Sequence, residues 1–283
     1  MKSAAIVADT NSGIMPRQAA EMGIQLISMP FLVNGEQHLE GKSCPAPEFF
    51  AKLAEGAEVS TSQPSPGEII RLWEKLLKHH EAVLHFPMSS SLSGTCQTAQ
   101  ALALDYPGKV FVVDNQRISV TLMQSIEDAQ KLLAEGRSAA EIQKILERDK
   151  LDASIYIAVN TLEYLKKSGR VTSTAAAMAT VLNLKPVLQI QGGKLDAFKK
   201  ARGMQQAKTV MAEAMQRDLE TRFAGRRVRL FAAYSGLEEE GRQWQAEVQA
   251  LFPDRTVELY ALPISICCHV GAGARAIACA PVM

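Results

Sequence analysis

Hydroxyl side chains are concentrated in two short segments of this 283-residue chain, Ser60-Thr61-Ser62-Gln63-Pro64 and Ser89-Ser90-Ser91-Leu92-Ser93-Gly94-Thr95-Cys96-Gln97. The second lies between an apolar strand-like run and a helix-like run. Hydroxyls at a strand-to-helix junction, beside the free N–H groups of a helix start, suit a polar ligand and above all an anion. The plainer alternative is that a serine run forms a solvated loop and caps a helix. His269, a lone histidine beside glycines, equally fits a hydrogen-bonded structural role.

Several other chemistries fail on spacing. A serine hydrolase sets its nucleophile in G-x-S-x-G, whereas Ser91 and Thr95 occupy the two glycine positions around Ser93. Gly271-Ala272-Gly273-Ala274-Arg275-Ala276 fits G-x-G-x-x-[GA], but it stands too near the C-terminus for a following βαβ unit, and no acidic residue follows to hold a ribose. No G-x-x-x-x-G-K-[ST] loop occurs, and Cys267-Cys268-His269 is too compressed to ligate one metal tetrahedrally.

The elements that must position these groups alternate in type. Strands are expected at Ala4 to Ala8, Gln25 to Val33, Ala82 to Phe86 and Lys109 to Val113. Helices are expected at Arg17 to Met22, Pro47 to Ala54, Pro66 to His79, Gly94 to Leu104, Ile118 to Ala134 and Ala139 to Arg148. This rhythm implies βαβ units and a mostly parallel sheet, which binds ligands outside the carboxyl ends of its strands. Asp9-Thr10-Asn11-Ser12 and the Ser89 to Thr95 loop then share one edge. Further on, a strand is expected at Ser154 to Val159, an Ala- and Met-rich helix at Ser173 to Leu182, and a hairpin of Pro186 to Ile190 and Leu195 to Phe198 turning at Gly192-Gly193. A helix from Met204 to Arg222 and a strand, helix and strand at Arg229 to Ala233, Glu238 to Leu251 and Thr256 to Tyr260 complete the pattern. A boundary near Asp149 to Asp152 divides an N-terminal domain, 1–150, from a C-terminal one, 151–283, since a chain this long usually exceeds one core.

Bulk composition restricts the partners. The chain carries 31 Lys plus Arg against 30 Asp plus Glu, which leaves no positive field to hold nucleic acid or an anionic membrane surface. Five scattered cysteines, an odd number, point to a reducing cytoplasm. The N-terminus reads as a buried strand, not a secretory signal. The longest uncharged stretch near the C-terminus, Leu259 to Ala274, is broken by Pro263 and two glycines and is too short to span a membrane.

At this point the residues carry a resemblance. Asp9-Thr10-Asn11-Ser12, Thr61-Ser62-Gln63-Pro64, Ser89-Ser90-Ser91-Leu92-Ser93-Gly94-Thr95, Leu162-Glu163-Tyr164-Leu165-Lys166-Lys167-Ser168-Gly169-Arg170, Leu184-Lys185-Pro186-Val187-Leu188 and Lys200-Ala201-Arg202 resemble, in order and nearly end to end, the DegV family. The resemblance implies a two-domain α/β fold with a lipid tunnel between a mostly parallel sheet flanked by helices and a second, mixed α/β domain. It also implies the activity of the fatty-acid-binding subunits of bacterial fatty acid kinase. Such a subunit has no catalysis or cofactor of its own, holds a long-chain fatty acid, and presents it to a separate ATP- and magnesium-using kinase, then retains the acyl phosphate.

Carried over residue by residue, the family's carboxylate ligands resemble Thr61, Ser93 and His269, with Ser62, Gly94 and Thr95 as the supporting loop. Two hydroxyls and an imidazole N–H can satisfy a carboxylate without a buried arginine, and the helix starting at Gly94 adds positive potential. At about 0.8 kcal/mol per methylene, burying roughly fifteen methylenes gains on the order of 12 kcal/mol before ordering costs. Candidate walls are Ala175 to Leu182, especially Met178, with Ile190, Ile264 and Ile266, although each of these equally suits plain core. Arg202, with Lys200, resembles a kinase-contact residue; without the resemblance it reads as a solvated cation. Asp114-Asn115-Gln116-Arg117, His269-Val270-Gly271-Ala272-Gly273 and Ser168 depart from the family's usual D-S, H-T-G-P-G and glycine. Two other classes stay open: a lipid sensor or carrier without a kinase, and an acyl hydrolase with Ser93 as nucleophile and His269 as base.

Overall fold

The computed structural model describes residues 2–177 and 184–283, so Met178 and the rest of the 178–182 wall lie outside the described residues. The chain opens with β1 (Lys2–Asp9), α1 (Pro16–Met22), β2 (Gln25–Ile27), β3 (Pro30–Val33), β4 (Glu36–Leu39), α2 (Ala46–Ala54), β5 (Val59–Thr61) and α3 (Pro66–Leu77). There follow β6 (His80–Phe86), α4 (Thr95–Ala103), β7 (Val110–Val112), α5 (Ser119–Ala134) and α6 (Ala139–Arg148). The remainder comprises β8 (Ser154–Ala158), α7 (Glu163–Ser168), α8 (Ser173–Ala177), β9 (Leu184–Ile190), β10 (Asp196–Arg202), α9 (Gly203–Glu220), β11 (Val228–Tyr234), α10 (Glu238–Leu251), β12 (Val257–Ala261), α11 (Ile264–Val270) and β13 (Arg275–Pro281).

The apolar runs of β1 and β6 suit strands buried on both faces, and they form the centre of a parallel sheet of order β2-β1-β6-β7. The second sheet, β10-β9-β8-β13-β11-β12, is antiparallel except for the β11–β12 pair. The expected hairpin is its β9–β10 edge, with Gly192 and Gly193 both at positive φ in the turn. Helix α5 packs on both β1 and β13. Residues on almost all sides of it are buried, as a helix between two sheets requires. One core cluster therefore joins Ile6, Leu84 and Phe86 to Ile155, Ile157 and Phe231. The chain passes from the first sheet to the second between α6 and β8.

The expected single strand from Gln25 to Val33 is two strands in two sheets. The Met29 N–H donates to the Thr10 hydroxyl (2.9 Å) in place of a strand neighbour, which ends the ladder before Pro30. Beyond that break β3 joins a small antiparallel sheet, β4-β3-β5, in which Phe31 pairs with Thr61.

Candidate ligand site

Thr61 ends β5, so the β3–β5 ladder fixes its place. Ser93 stands in the loop between β6 and α4. Most hydroxyls and carboxylates around that loop hold its shape. The N–H groups of Leu92 and Ser93 donate to the Ser89 carbonyl at 3.0 and 3.1 Å, Ser91 N–H donates to Ser89 Oγ (3.3 Å), and Met88 N–H donates to Asp9 Oδ2 (3.2 Å). Ser93 Oγ lies 2.9 Å from Thr95 Oγ1 and accepts the Thr95 N–H (3.2 Å), so the buried Thr95 supports Ser93 from below. Gly94 caps α4 in an ordinary helical conformation. A Cβ there would sit 3.5 Å from Gln63 Oε1, an ordinary contact within the protein. Gln63 ties the first hydroxyl segment to α4, just past the second, by accepting from the Thr98 hydroxyl (3.1 Å).

His269 comes from the last turn of α11, a helix packed on β3, β5 and α7. One turn earlier, Ser265 donates its N–H (2.8 Å) and hydroxyl (2.9 Å) to the buried Glu40 carboxylate and accepts from Asn11 Nδ2 (2.8 Å). This network pins the start of α11 to the loop after β1, and burial raises the Glu40 pKa. At the other end of the helix, His269 Nε2 lies 2.9 Å from Thr61 Oγ1. Burial first, and then repulsion from Arg170, hold the imidazole pKa down to about 4, so it is neutral at physiological pH. Its Nδ1 is buried without a hydrogen-bond partner. An orphaned N–H costs more than an orphaned lone pair, which favours the proton on Nε2. Nε2–H then donates to Thr61, and the Thr61 O–H is left to donate to a ligand.

Thr61, Ser62, Ser93, Gly94 and His269 line one cavity of about 320 Å³. Apolar side chains, among them Met29, Leu92 and Leu165, supply much of its remaining wall. A smaller, almost wholly apolar cavity of about 40 Å³ lies against it, formed partly by Ile155, Ile157 and Ala278 from the second sheet. Ile118, Leu195, Ile266 and Val270 line both. A cavity with polar groups and an almost wholly apolar one therefore adjoin each other, with residues of the second sheet lining the apolar one.

Of the expected walls, Ile266 lines both cavities and Ile190 the inner one. Ile264 instead faces a different cavity beyond α11, because it lies on another side of the helix from Ile266. Ala175 is buried in the core and lines neither cavity. Arg202 is exposed at the end of edge strand β10, away from the cavity lining. Four polar lining residues had no role assigned from sequence: Asn11, Gln63, Arg170 and Ser265. Arg170 matters most, since it adds a cation to a set expected to have none. Gly169, at φ 68°, ends α7 in the left-handed region and turns the chain so that Arg170 reaches the cavity. The Leu162–Arg170 segment contained that signal, but a basic residue after a short helix has no distinguishing spacing.

Two sheets packed on a shared helix, with a hydroxyl-bearing cavity beside an apolar one, define an α/β protein with space suited to an amphiphile. Comparison with known proteins then places it: residues 3–282 match the model of the DegV family of uncharacterised proteins, and the chain belongs to that family. A DegV domain-containing protein of Deinococcus radiodurans is 31% identical over 282 residues, covering 99% of each chain. The structure of a DegV family protein from Thermus thermophilus, described for its fatty acid binding, matches with a TM-score of 0.89 and 31% identity over 99% of this chain and 100% of that one. DegV from Bacillus subtilis, described as a fatty acid binding protein, gives a TM-score of 0.86 and 26% identity over 99% and 100%.

Proposed function

We propose that this chain binds a long-chain fatty acid and presents its carboxylate to a separate ATP-dependent fatty acid kinase, retaining the acyl phosphate afterwards. The observation that carries the binding is the pair of adjoining cavities, one with polar groups and one almost wholly apolar, in a chain similar throughout to fatty-acid-binding DegV proteins. Thr61 and Ser93 donate hydrogen bonds to the carboxylate, His269 orients Thr61, and Arg170 supplies charge. On this reading residues 1–150 bring the hydroxyls, and residues 151–283 bring His269, the channel wall and the partner-facing surface around Arg202. Five unpaired, buried thiols suit a cytoplasmic protein.

In the transfer a carboxylate oxygen attacks the γ-phosphorus of ATP held by the kinase, and the bond to ADP breaks. Positioning and exclusion of water are what the carrier contributes. It needs no nucleophile. Ser93 pairs with Thr95 and His269 with Thr61, so the serine–histidine contact of a hydrolase is not made. Among the described residues there is no metal-binding cluster and no helix long and apolar enough to cross a membrane.

Mass spectrometry of lipid extracted from the purified protein tests the ligand; a headgroup other than carboxylate would overturn it. Kinase presentation is tested with radiolabelled ATP, purified kinase and the loaded protein. Arg202→Ala should leave fatty acid affinity unchanged and lower acyl phosphate formation at least tenfold. Loaded wild-type protein whose fatty acid is never phosphorylated would mark a carrier or sensor instead.

A further inference from the structure

A larger space adjoins the inner apolar cavity. Leu262 lines the inner cavity and also a third cavity, of about 790 Å³, on the far side. Between the two cavities also lie Ser119, which lines the inner cavity, and Tyr260, which lines the third, with their hydroxyls beside each other. Tyr260 is immobile: its hydroxyl donates to the Ser12 carbonyl, and its ring packs so closely on Gly13 that a Cβ there would fall 1.5 Å from the Tyr260 oxygen. Leu262 is held differently. Its N–H is anchored to the Tyr234 carbonyl (2.8 Å), while its half-buried side chain makes only apolar contacts with the core clusters on both sides. Rotamer change in such a side chain breaks no hydrogen bond. The third cavity has apolar surface to offer, from Met15, Met123, Leu259 and Ile264, and Met15 is 51% exposed at its edge.

We propose that Leu262 is the partition that ends the acyl channel, and that the cavity behind it receives the methyl end of chains too long for the channel. The inference rests on the fatty acid reading above and adds to it a determinant of chain length. Two more buried methylenes are worth roughly tenfold in affinity, so opening the wall should be plainly measurable.

The test compares dissociation constants for palmitate, arachidate and behenate, by displacement of a fluorescent fatty acid, in wild type and variants. Leu262→Ala should raise behenate affinity relative to palmitate at least tenfold, and Leu262→Phe should lower arachidate relative to palmitate. Ala46 is an exposed residue lining the third cavity. Adding Ala46→Trp to Leu262→Ala should cancel the behenate gain and spare palmitate, which also serves as the folding control. An unchanged behenate-to-palmitate ratio in Leu262→Ala, or a gain that Ala46→Trp leaves intact, overturns the partition while fatty acid binding stands. Wild-type protein that binds none of the three acids overturns both readings.

Discussion

Replacing His269 with glutamine should remove an acid-sensitive part of the protein's stability. Burial, with repulsion from Arg170 second, lowers the imidazole pKa from 6.5 to about 4. The folded state therefore binds this proton more weakly than the unfolded chain does. The sign follows: the neutral imidazole carries no penalty above about pH 6.5, and stability is lost as pH falls from there towards about 4. The full shift corresponds to roughly 3 kcal/mol, of which about 2 kcal/mol is already gone near pH 5. Buried and half-buried carboxyls act in the opposite direction. Glu40, Asp128 and Glu147 have pKa values raised chiefly by burial, so their protonation favours the folded state as pH falls. The wild-type pH profile is thus a mixture, and the difference between wild type and His269→Gln isolates the imidazole. Urea unfolding of both proteins near pH 7.5 and pH 5 should show the stability gap moving by about 2 kcal/mol in the variant's favour at the lower pH. A gap that does not change with pH would refute the claim that His269 is held neutral by its surroundings.

Thr61→Val and Ser93→Ala should each weaken fatty acid binding roughly 10- to 100-fold, the worth of one hydrogen bond to a charged acceptor, and each should also cost about 1–3 kcal/mol of stability, because Thr61→Val orphans the His269 N–H and Ser93→Ala the Thr95 N–H. Fluorescent fatty acid displacement measures this, and unchanged affinity in either variant would remove that hydroxyl from the site. Gly13→Ala should destabilise the fold by at least about 2 kcal/mol in urea, because Gly13 has φ 73° and a Cβ there would overlap the Tyr260 hydroxyl. A loss under about 0.5 kcal/mol would mean that Tyr260 can move aside, contrary to the rigidity assigned to it.

Alternation of strand and helix was readable wherever an element carried its own period. Helices α6 and α10 begin and end where pattern and capping predict, and α6 has a capping box of Ser138 and Glu141. Elements without a period were not readable. Strand β13 is Arg-Ala-Ile-Ala-Cys-Ala-Pro, poor in the β-branched and aromatic residues that mark strands, yet it lies at the centre of the second sheet because small side chains let neighbouring layers approach. Helix α11 spans only seven residues and starts Ile-Ser-Ile-Cys-Cys, a weak helix former shaped by packing and by Glu40. His269 rides on that helix, so nothing local in the sequence could have joined it to Thr61, 208 positions away.

The same limit explains why the hydroxyl clusters overstated the site. Of the serines in the second segment, Ser89 stabilises the loop through its carbonyl and side chain, and Ser90 is anchored through its N–H to Asp114 (3.3 Å). Ser93 differs only in where the loop leaves it, at the cavity beside the start of α4 and across from a threonine presented by a separate small sheet. Hydroxyl density measures how much hydrogen bonding a tight strand-to-helix turn requires, whereas ligand contact depends on which oxygens face an apolar void. Two of the residues that give this void its chemical character, Arg170 and Ile266, stand outside both clusters. A substitution series confined to the serine run would therefore report loop stability more than recognition. The informative pairings cross between segments: Thr61 with His269, Gln63 with Thr98, and Ser265 with both Asn11 and Glu40.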